Sequence, residues 1–326
     1  MKDMRTGRSA SWIVGVVCLG VASVMAAGVA QAAGKLTVGQ VYVWLGDLPQ
    51  YVAQEKGLYK AKGLDVELIT FRGGGDVANA LVGGTVDIAI GALDHVIKMQ
   101  EKGLEAAAFL VIQDKLGFTM FAKKGAGIKT MSDLKGKVLA TSAPGSSADN
   151  YMRYLLAKAG LDPVKDVTII AGGGNEGRVA ALKQGSALAA AVTEPATSII
   201  LAEGIGEVLH RGTEWDYPFN VAIAKKEFLA KNRDTVKAFV EATLEGARRA
   251  RANPAEAEEV ALKIFAKGDP AIIRQAVRNY LPTFSENGML TEKAAQFVIG
   301  MLLEAKVIKQ AVPVASFADS SFLPKH

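Results

Sequence analysis

Two stretches of this chain share a pattern that decides the fold. They are DVELITFRGGGDVANALVGGTVDIA at Asp65–Ala89 and DVTIIAGGGNEGRVAALKQGSALAA at Asp166–Ala190. The matched identities are Asp65/Asp166, Val66/Val167, Ile69/Ile170, Gly73/Gly174, Ala80/Ala181, Leu81/Leu182, Gly84/Gly185 and Ala89/Ala190. Each stretch has the pattern of a strand, a glycine turn, a short helix, a second glycine and another strand. The repeat indicates two lobes of similar topology with a ligand cleft between them; the alternative is a chance similarity between two βαβ units.

The segments around the first copy continue the alternation of strands and helices. Lys35–Val43 is rich in β-branched residues and predicts a strand, Gln50–Lys60 predicts a helix, and Val86–Ile90 predicts a third strand. Strands that alternate with short helices indicate βαβ units and a parallel sheet, and hence an α/β fold. Beyond Lys225 the apolar residues recur at three- and four-residue spacing, which predicts helices that pack on the finished sheets.

The first residues of the chain have the pattern of an export signal. The basic residues Lys2, Arg5 and Arg8 precede an apolar run, Trp12–Ala27. The run is followed by Ala30-Gln31-Ala32, a small-x-small sequence that a signal peptidase can cut. We therefore predict a signal peptide over 1–32 and a periplasmic location for the mature protein. The alternative is an uncleaved membrane anchor, because the run is just long enough to span a bilayer.

The composition is that of a globular protein of about two domains, with 326 residues, 50% of them hydrophobic and 22% charged. Loss of the signal leaves 294 residues (326 − 32) and takes the formal net charge from +5 to +3, because three basic residues and one acid leave. Cys18, the single cysteine, also leaves, which excludes disulfides and thiol nucleophiles. No basic block indicates a nucleic-acid partner. His95, His210 and His326 lack ligand spacing, so we expect no metal and no cofactor.

Several motifs of the chain occur, in the same order, in one family of transport proteins. The motifs are Leu48–Tyr59 (LPQYVAQEKGLY), Gly63–Glu67 (GLDVE), Leu81–Ala89 (LVGGTVDIA), Met131–Lys137 (MSDLKGK) and Pro144–Ser147 (PGSS). They resemble the periplasmic solute-binding proteins of the nitrate, sulfonate and taurine group of ABC importers. That group also includes binders of pyrimidine precursors.

The resemblance implies a two-lobed α/β fold of the type II periplasmic binding protein kind, with the ligand clamped between the lobes. The first lobe would comprise 34–118 and 220–326, including the C-terminal helices, and the second lobe 119–219. Binding would close the lobes by a hinge motion, and a membrane permease would read the closed form. We therefore expect a monomeric, non-enzymatic subunit whose partners are a small-molecule ligand and an ABC permease.

Ligands of such sheets lie at the carboxyl ends of strands, against helix N-termini, and the first half of the chain supplies five candidate residues there. Trp44 ends a strand and either stacks on the ligand or packs in the core. Arg72 suits a bidentate pair with a sulfonate or carboxylate, while Gly73 and Gly74 let backbone N–H groups approach an anion. The alternative is a turn with a solvated arginine. Asp94 either accepts a hydrogen bond from the ligand or caps a helix.

Two further segments come from the second half of the chain. Gly145, Ser146 and Ser147 open a helix, where N–H groups and hydroxyls suit an oxyanion; one serine also fits a capping role. Glu194 follows a strand, and we expect it to bind an ammonium or amidine group or to pair with Arg178 as a closure latch. We predict no catalytic residue and no metal ligand.

These candidates leave the ligand open. The arginine, the glycine turn and the serines suit a small anion, and we favour a sulfonate- or taurine-like solute. The acids and the tryptophan suit an amine-bearing or aromatic solute, so an aminopyrimidine or an aromatic carboxylate is the alternative.

An enzyme on the same scaffold, secreted or NAD-dependent, is the alternative from another class. Gly172-x-Gly174-x-x-Gly177 follows a predicted strand, and Glu194 lies twenty residues beyond Gly174, which formally meets the dinucleotide-binding pattern. The helix that follows is short, and the first copy of the repeat keeps only part of the pattern, so we interpret these glycines as turn formers. A Ser-His-Asp triad assembles in space and stays open here. The family resemblance also implies pyrimidine-synthase relatives, but these depend on a cysteine-rich motif that the mature chain lacks.

Overall fold

The computed structural model describes residues 34–325, so the predicted signal peptide and His326 lie outside the described part. The strands of this part are β1 (Gly34–Gln40), β2 (Leu64–Thr70), β3 (Ile88–Gly91), β4 (Ala106–Lys115), β5 (Thr119–Lys123), β6 (Val138–Thr141), β7 (Thr168–Ala171), β8 (Ala189–Val192), β9 (Gly206–Arg211) and β10 (Asp216–Lys225). Its α-helices are α1 (Leu48–Glu55), α2 (Leu58–Ala61), α3 (Gly74–Gly83), α4 (Leu93–Glu101), α5 (Ser147–Lys158), α6 (Asn175–Gln184), α7 (Ala196–Ala202), α8 (Lys226–Lys231), α9 (Arg233–Ala252), α10 (Pro254–Ile264), α11 (Pro270–Tyr280) and α12 (Glu292–Glu304).

The strands form two five-stranded mixed sheets. The first sheet has the order β2-β1-β3-β10-β4 and the second sheet β7-β6-β8-β5-β9. In each sheet three neighbouring strands are parallel, and the fourth runs antiparallel to the strands on both its sides. That fourth strand, β10 or β5, follows a strand of the other sheet along the chain. The prediction of a parallel sheet is therefore wrong in this respect. In each sheet the strand that enters from the other sheet runs antiparallel to its neighbours.

The internal repeat of the sequence is also a repeat of structure. The unit β2–α3–β3 corresponds in order and pairing to β7–α6–β8, and both helices have ten residues. Both end at a glycine with left-handed backbone, Gly84 at φ 77° and Gly185 at φ 80°. Glycine adopts this conformation without a steric penalty, so it is a common helix terminator. The matched glycines thus set the same helix length in both sheets, which a chance similarity does not explain.

The largest buried apolar cluster includes residues of both sheets, and each sheet also has a smaller cluster of its own. In the first sheet Val236 and Phe239 of α9 belong to one buried cluster with Leu36 and Val38 of β1. Burial of each such side chain contributes roughly 1.5–3 kcal/mol. The second sheet has a smaller cluster of Phe121, Ala140, Ala181, Leu182, Ala187, Ala190, Val192, Ala196 and Ile200. Among the described helices none has both the length and the apolar composition needed to cross a bilayer.

The chain crosses between the sheets twice, once between β4 and β5 and once between β9 and β10. On the first crossing, a Cβ atom at Gly117 would lie 2.4 Å from Tyr280 Oη, so a side chain has no room there. The Tyr280 hydroxyl, at the end of α11, donates to the Gly117 carbonyl over 2.7 Å. Helix α11 also contacts α7, which follows a strand of the second sheet. The C-terminal helices therefore contact both halves, and the lobe bounds stated above stay a prediction.

Candidate functional site

A small cavity is lined by residues that follow strands of both sheets. Its volume is about 40 Å³. The lining residues are Val41, Tyr42, Trp44, Gly73, Gly74, Gly91, Ala92, His95, Phe118, Ser142, Ser146, Ser147, Ala148, Phe219 and Asn220. Such a volume holds about three water molecules at most, whereas sites for organic ligands typically measure roughly 300–1,000 Å³. The described conformation therefore leaves no room for an organic solute in this cavity, and it is here called the closed form.

The amino ends of three helices meet at this cavity. Helix α3 begins at Gly74, α4 follows Ala92 and α5 begins at Ser147, and all three residues line the cavity. Neither α3 nor α4 has a side-chain cap. The amino end of a helix carries a partial positive charge and N–H groups without partners inside the helix, so it favours an anion. The backbone alone thus makes the cavity attractive to a negatively charged group.

The aromatic wall of the cavity contains Trp44, which stood among the sequence candidates. Its ring packs edge-on against Phe219, with ring centroids 5.3 Å apart, and is buried. Asp47, a few residues further on, is fully buried, and its Oδ1 accepts hydrogen bonds from Asn220 Nδ2 over 2.9 Å and from Gln50 Nε2 over 3.4 Å. Burial raises the pKa of Asp47 to about 7, and these hydrogen bonds offset only part of that effect. A carboxyl group that titrates near neutral pH therefore lies close to the cavity.

His95 lines the cavity, although the sequence analysis considered it only as a metal ligand. It is buried, and a Cβ atom at Gly74 would lie 2.0 Å from its Nε2, so the ring packs directly on the first turn of α3. Burial lowers the pKa of His95 to about 4 despite the nearby Asp94, so the imidazole is neutral at pH 7. Its place at the start of a helix after a buried strand was the available sequence signal.

Asp94 does not line the cavity; its carboxylate is bonded to protein groups. Ser147 Oγ donates to Oδ1 over 2.7 Å, while Asn150 Nδ2 and Lys98 Nζ donate to Oδ2 over 2.7 and 2.9 Å. Burial by itself would raise the pKa of Asp94, but Lys98, His95 and these hydrogen bonds outweigh it and hold the pKa below its usual value. Asp94 is thus an ionised group shared between residues of both halves.

The serine segment of the second half reaches the cavity with two of its three candidates. Ser146 caps α5 by accepting from Asp149 N over 3.2 Å, and its Oγ also accepts from Ser142 Oγ over 2.8 Å. Ser147 lines the cavity beside it. Gly145 lies outside, where its carbonyl accepts from Lys98 Nζ over 2.9 Å. The capping role and the cavity position therefore coexist at Ser146, as the sequence suggested.

Arg72 and Glu194 do not line the cavity, whereas Gly73 and Gly74, next to Arg72, do. The side chain of Arg72 is 92% exposed and its Nε pairs with Asp76 Oδ2 over 3.0 Å. Glu194 is buried, but its carboxylate accepts from Ser198 Oγ over 3.1 Å and from Asn279 Nδ2 over 2.9 Å. Arg178, its suggested latch partner, has other partners. In the closed form neither charged side chain lines the small cavity, although Glu194 lines a separate, larger pocket of about 820 Å³.

The glycine loop that matched the dinucleotide pattern is folded on itself. A Cβ atom at Gly177 would lie 2.0 Å from the carbonyl oxygen of Gly172, so the glycines allow a tight turn. This packing supports their interpretation as turn formers. Within residues 34–325 no group of three or more His, Cys, Asp or Glu side chains is arranged to hold a metal ion.

The sequence pattern of the family described as NMT1/THI5 like matches residues 47–257, more than half of the chain. The chain belongs to the NMT1/THI5-like family. This NMT1/THI5-like chain is 24% identical over 298 residues to YtlA of Bacillus subtilis, named as a binding protein, with 89% of each covered. It is 26% identical over 272 residues to the riboflavin-binding protein RibY of Chloroflexus aurantiacus, with 78% of this chain and 73% of RibY covered. It is 20% identical over 296 residues to a 4-amino-5-hydroxymethyl-2-methylpyrimidine phosphate synthase of Legionella pneumophila, with 85% and 88% covered.

Solved structures extend the likeness of the NMT1/THI5-like chain to its fold. A protein of Bordetella bronchiseptica is 26% identical and superposes with a TM-score of 0.79, over 90% of this chain and 96% of that one. The alkanesulfonate-binding protein SsuA of Xanthomonas axonopodis, bound to MOPS, is 20% identical with a TM-score of 0.74, over 87% and 97%. The periplasmic nitrate-binding protein NrtA of Synechocystis is 16% identical with a TM-score of 0.69, over 88% and 86%. These likenesses confirm the predicted family resemblance and the periplasmic binding protein fold.

Proposed function

We propose that this protein is the extracytoplasmic solute-binding subunit of an ABC importer. It captures a small organic solute between its two halves and delivers it to a membrane permease. The observation that carries this proposal is the composition of the cavity. The side chains of Trp44 and His95 reach it from the first half of the chain, and Ser142 and Ser147 reach it from the second. A solute at this position is therefore held by both halves at once.

The closed cavity fits a capture mechanism that depends on hinge motion. At about 40 Å³ it excludes an organic solute, so the halves open before binding and close afterwards. The two chain crossings near Gly117 and Gly212 are the points about which the halves rotate. Closure then removes the solute from water and presents one defined surface to the permease.

We propose a small organic anion, sulfonate- or taurine-like, as the solute. Three helix amino ends supply positive potential and N–H donors, and the aromatic side chains of Trp44, Phe118 and Phe219 supply contact for an apolar body. The structural neighbours SsuA, an alkanesulfonate-binding protein, and NrtA, a nitrate-binding protein, support an anion. The aromatic wall and the riboflavin-binding relative favour the alternative, an aminopyrimidine or an aromatic carboxylate.

The arrangement of Ser147, Asp94 and His95 supports binding rather than hydrolysis. In a hydrolytic triad the histidine lies between the serine and the acid. Here Ser147 Oγ donates its hydrogen bond to Asp94 itself, and His95 Nε2 is 3.5 Å from Ser147 Oγ. Because burial lowers the pKa of His95 to about 4, the imidazole is also a weak base at neutral pH. A synthase is the second candidate function, favoured by the Legionella relative, and turnover of a bound pyrimidine would reveal it.

The place of the protein in the cell and its partners belong to the same proposal. Removal of the predicted signal over 1–32 releases a monomeric protein into the periplasm, where the permease is its partner. The periplasmic proteins among its structural neighbours support this location.

A thermal-shift screen of the mature chain from Ala33, refolded to strip bound ligand, tests the proposal. The panel contains alkanesulfonates, taurine, nitrate, aromatic carboxylates, aminopyrimidines and NAD. A solute at one hundred times its Kd adds about 2.7 kcal/mol and should raise the midpoint by several degrees. A rise with one chemical class, without turnover, is the expected result. A rise with NAD alone, or conversion of the solute, would contradict the binding function.

A further inference from the structure

Arg178 is a fully buried arginine to which the proposed capture of a solute has so far assigned no role. It lies in the first turn of α6, and its side chain is 0% exposed. Its Nε donates to the Gly174 carbonyl over 3.3 Å, its Nη2 to Asn175 Oδ1 over 2.9 Å, and its Nη1 to the carbonyl of Ala191. All of these acceptors are neutral. These hydrogen bonds engage all three guanidinium nitrogens but leave the positive charge uncompensated.

No ion pair formed within residues 34–325 includes Arg178. Its place at the amino end of a helix adds to the imbalance, because that end carries a partial positive charge. Burial of an unpaired charge is costly, so buried arginines normally face a carboxylate or a phosphate. Arg72 offers the contrast, since it is exposed and already paired with Asp76. The surroundings of Arg178 are short of one negative charge.

The guanidinium group of Arg178 reaches across to the other half of the molecule. Its Nη2 donates to Tyr42 Oη over 3.0 Å, and its central carbon lies 5.6 Å from the centroid of the Tyr42 ring. Tyr42 follows β1 and lines the cavity, and Ser142 lines it from the second half. Beside Ser142, the buried hydroxyl of Thr141 has no hydrogen-bond partner. Arg178 itself does not line the cavity. The Tyr42 hydroxyl covers its Nη2 edge, so the inference below requires that separation of the halves parts Tyr42 from Arg178 and uncovers that edge.

We propose that Arg178 is the cation that selects an anionic solute. A carboxylate or sulfonate group takes over the Nη2 donor that bonds Tyr42 Oη in the described conformation, and it supplies the missing negative charge. The planar guanidinium suits the oxygens of such a group, and Tyr42 then covers the pair from the other half. This inference rests on the proposed capture of a solute and names the residue that decides its charge.

Calorimetry and thermal shift on four forms of the mature protein test the inference: the wild type, Arg178→Gln, Arg178→Lys and the control Arg248→Gln, which alters an exposed arginine paired with Glu245. The probes are ethanesulfonate, benzoate and, as a neutral compound, cytosine. The wild type should bind at least one anionic probe. Arg178→Gln should lose about tenfold to a hundredfold in affinity for that anion, as expected for a hydrogen bond to a charged group. Arg178→Lys, which keeps the charge, should lose less, and Arg248→Gln should stay within about twofold.

A purely structural role for Arg178 would lower the midpoint without solute and leave the Kd of the anion unchanged, and that result would overturn the inference. If Arg178→Gln does not fold, Arg178→Lys and Tyr42→Phe decide the matter. Tyr42→Phe removes the competing hydroxyl and should bind the anion at least as tightly as the wild type; a tenfold loss overturns the proposed exchange. A wild type that binds cytosine and neither anion overturns the role of Arg178 but leaves the capture of a solute standing. No binding of any compound in the wider panel would instead count against the proposed function.

Discussion

Ser147 Oγ donates to Asp94 Oδ1 over 2.7 Å, and this hydrogen bond joins α5, from the second half of the molecule, to α4, from the first. Asn150 Nδ2 donates to the other carboxylate oxygen over 2.7 Å, again across the halves. Lys98, one turn beyond Asp94, reaches the carbonyl of Gly145 over 2.9 Å. These contacts join the two halves in the described conformation. Asp94, proposed from the sequence as a ligand contact or a helix cap, is therefore expected to act on the solute indirectly, through closure.

Asp94→Ala should shift the solute-free protein toward the open form. It removes two hydrogen bonds across the halves, each worth roughly 1.5–3 kcal/mol because the acceptor is charged. Small-angle X-ray scattering should then give a larger radius of gyration than for the wild type. Asp76→Ala is the matched control, since Asp76 pairs only with the exposed Arg72. Coincident scattering profiles for Asp94→Ala and the wild type would contradict the role of this contact.

Arg72→Ala should leave solute affinity within about twofold of the wild type. The Arg72 side chain is 92% exposed, and its pair with Asp76 is of the exposed i,i+4 kind, worth about 0.3–0.5 kcal/mol. Calorimetry with a bound solute from the panel measures the effect. A loss of affinity comparable to that expected for Arg178→Gln would mean that Arg72 turns into the cleft when the halves open.

Gly74→Ala should weaken binding and destabilise the fold, whereas Gly75→Ala should do neither. A Cβ atom at Gly74 would lie 2.0 Å from His95 Nε2, so the buried imidazole has to leave its position. Overpacking of this kind costs about 1–3 kcal/mol. A Cβ atom added at Gly75 would have no neighbouring atom within 4 Å, and alanine is a better helix former than glycine. Chemical denaturation and calorimetry on both variants check the contrast, and equal behaviour of the two would refute it.

Asp47→Asn should remove a pH dependence of stability. Burial raises the pKa of Asp47 from 3.8 to about 7, so the folded protein binds this proton more tightly than the unfolded chain. Its contribution to folding is then full below about pH 4 and is lost as the pH rises to about 7, a change on the order of 4 kcal/mol. Relative to the wild type, Asp47→Asn should gain stability as the pH rises through this interval. Urea unfolding at several pH values measures the difference.

His95 supplies the control for that measurement because its effect has the opposite sign. Burial lowers the pKa of His95 from 6.5 to about 4, so its contribution to stability is lost as the pH falls through the same interval. His95→Gln should therefore gain stability over the wild type toward acidic pH, while Asp47→Asn gains it toward neutral pH. Parallel curves for the two variants would show that neither group titrates as described.

The repeat made the fold accessible from the sequence, because the paired glycines constrain the backbone locally. Gly84 and Gly185 end equivalent helices wherever they lie in space, so their spacing alone indicated two similar units. The antiparallel strands β5 and β10 were not predicted as such. Their direction depends on which sheet each strand joins after a crossing, and strand composition carries no information on that choice.

The site was predictable to the level of segments rather than of side chains. Trp44, Gly73, Gly74, Ser146 and Ser147 meet at one cavity because the carboxyl ends of strands and the amino ends of helices coincide in an α/β fold. The sequence did not show which arginine is buried. Arg72 and Arg178 both stand beside glycine turns, but only tertiary packing decides which is buried. Asp76, four residues after Arg72, indicated that this arginine has a local partner on the surface.

Trp44 packs against Phe219 and Tyr280, and so it touches both a strand that enters from the second sheet and a helix that contacts both halves. Trp215, just before the same strand, packs on His210 with ring centroids 4.4 Å apart. Removal of the predicted signal, which contains Trp12, leaves only these two tryptophans in the mature chain. The tryptophan fluorescence of the mature protein therefore arises entirely beside the cavity and the second chain crossing. Its emission is expected to change as the halves open and close, so a spectrometer would follow the proposed capture on the unlabelled protein in real time.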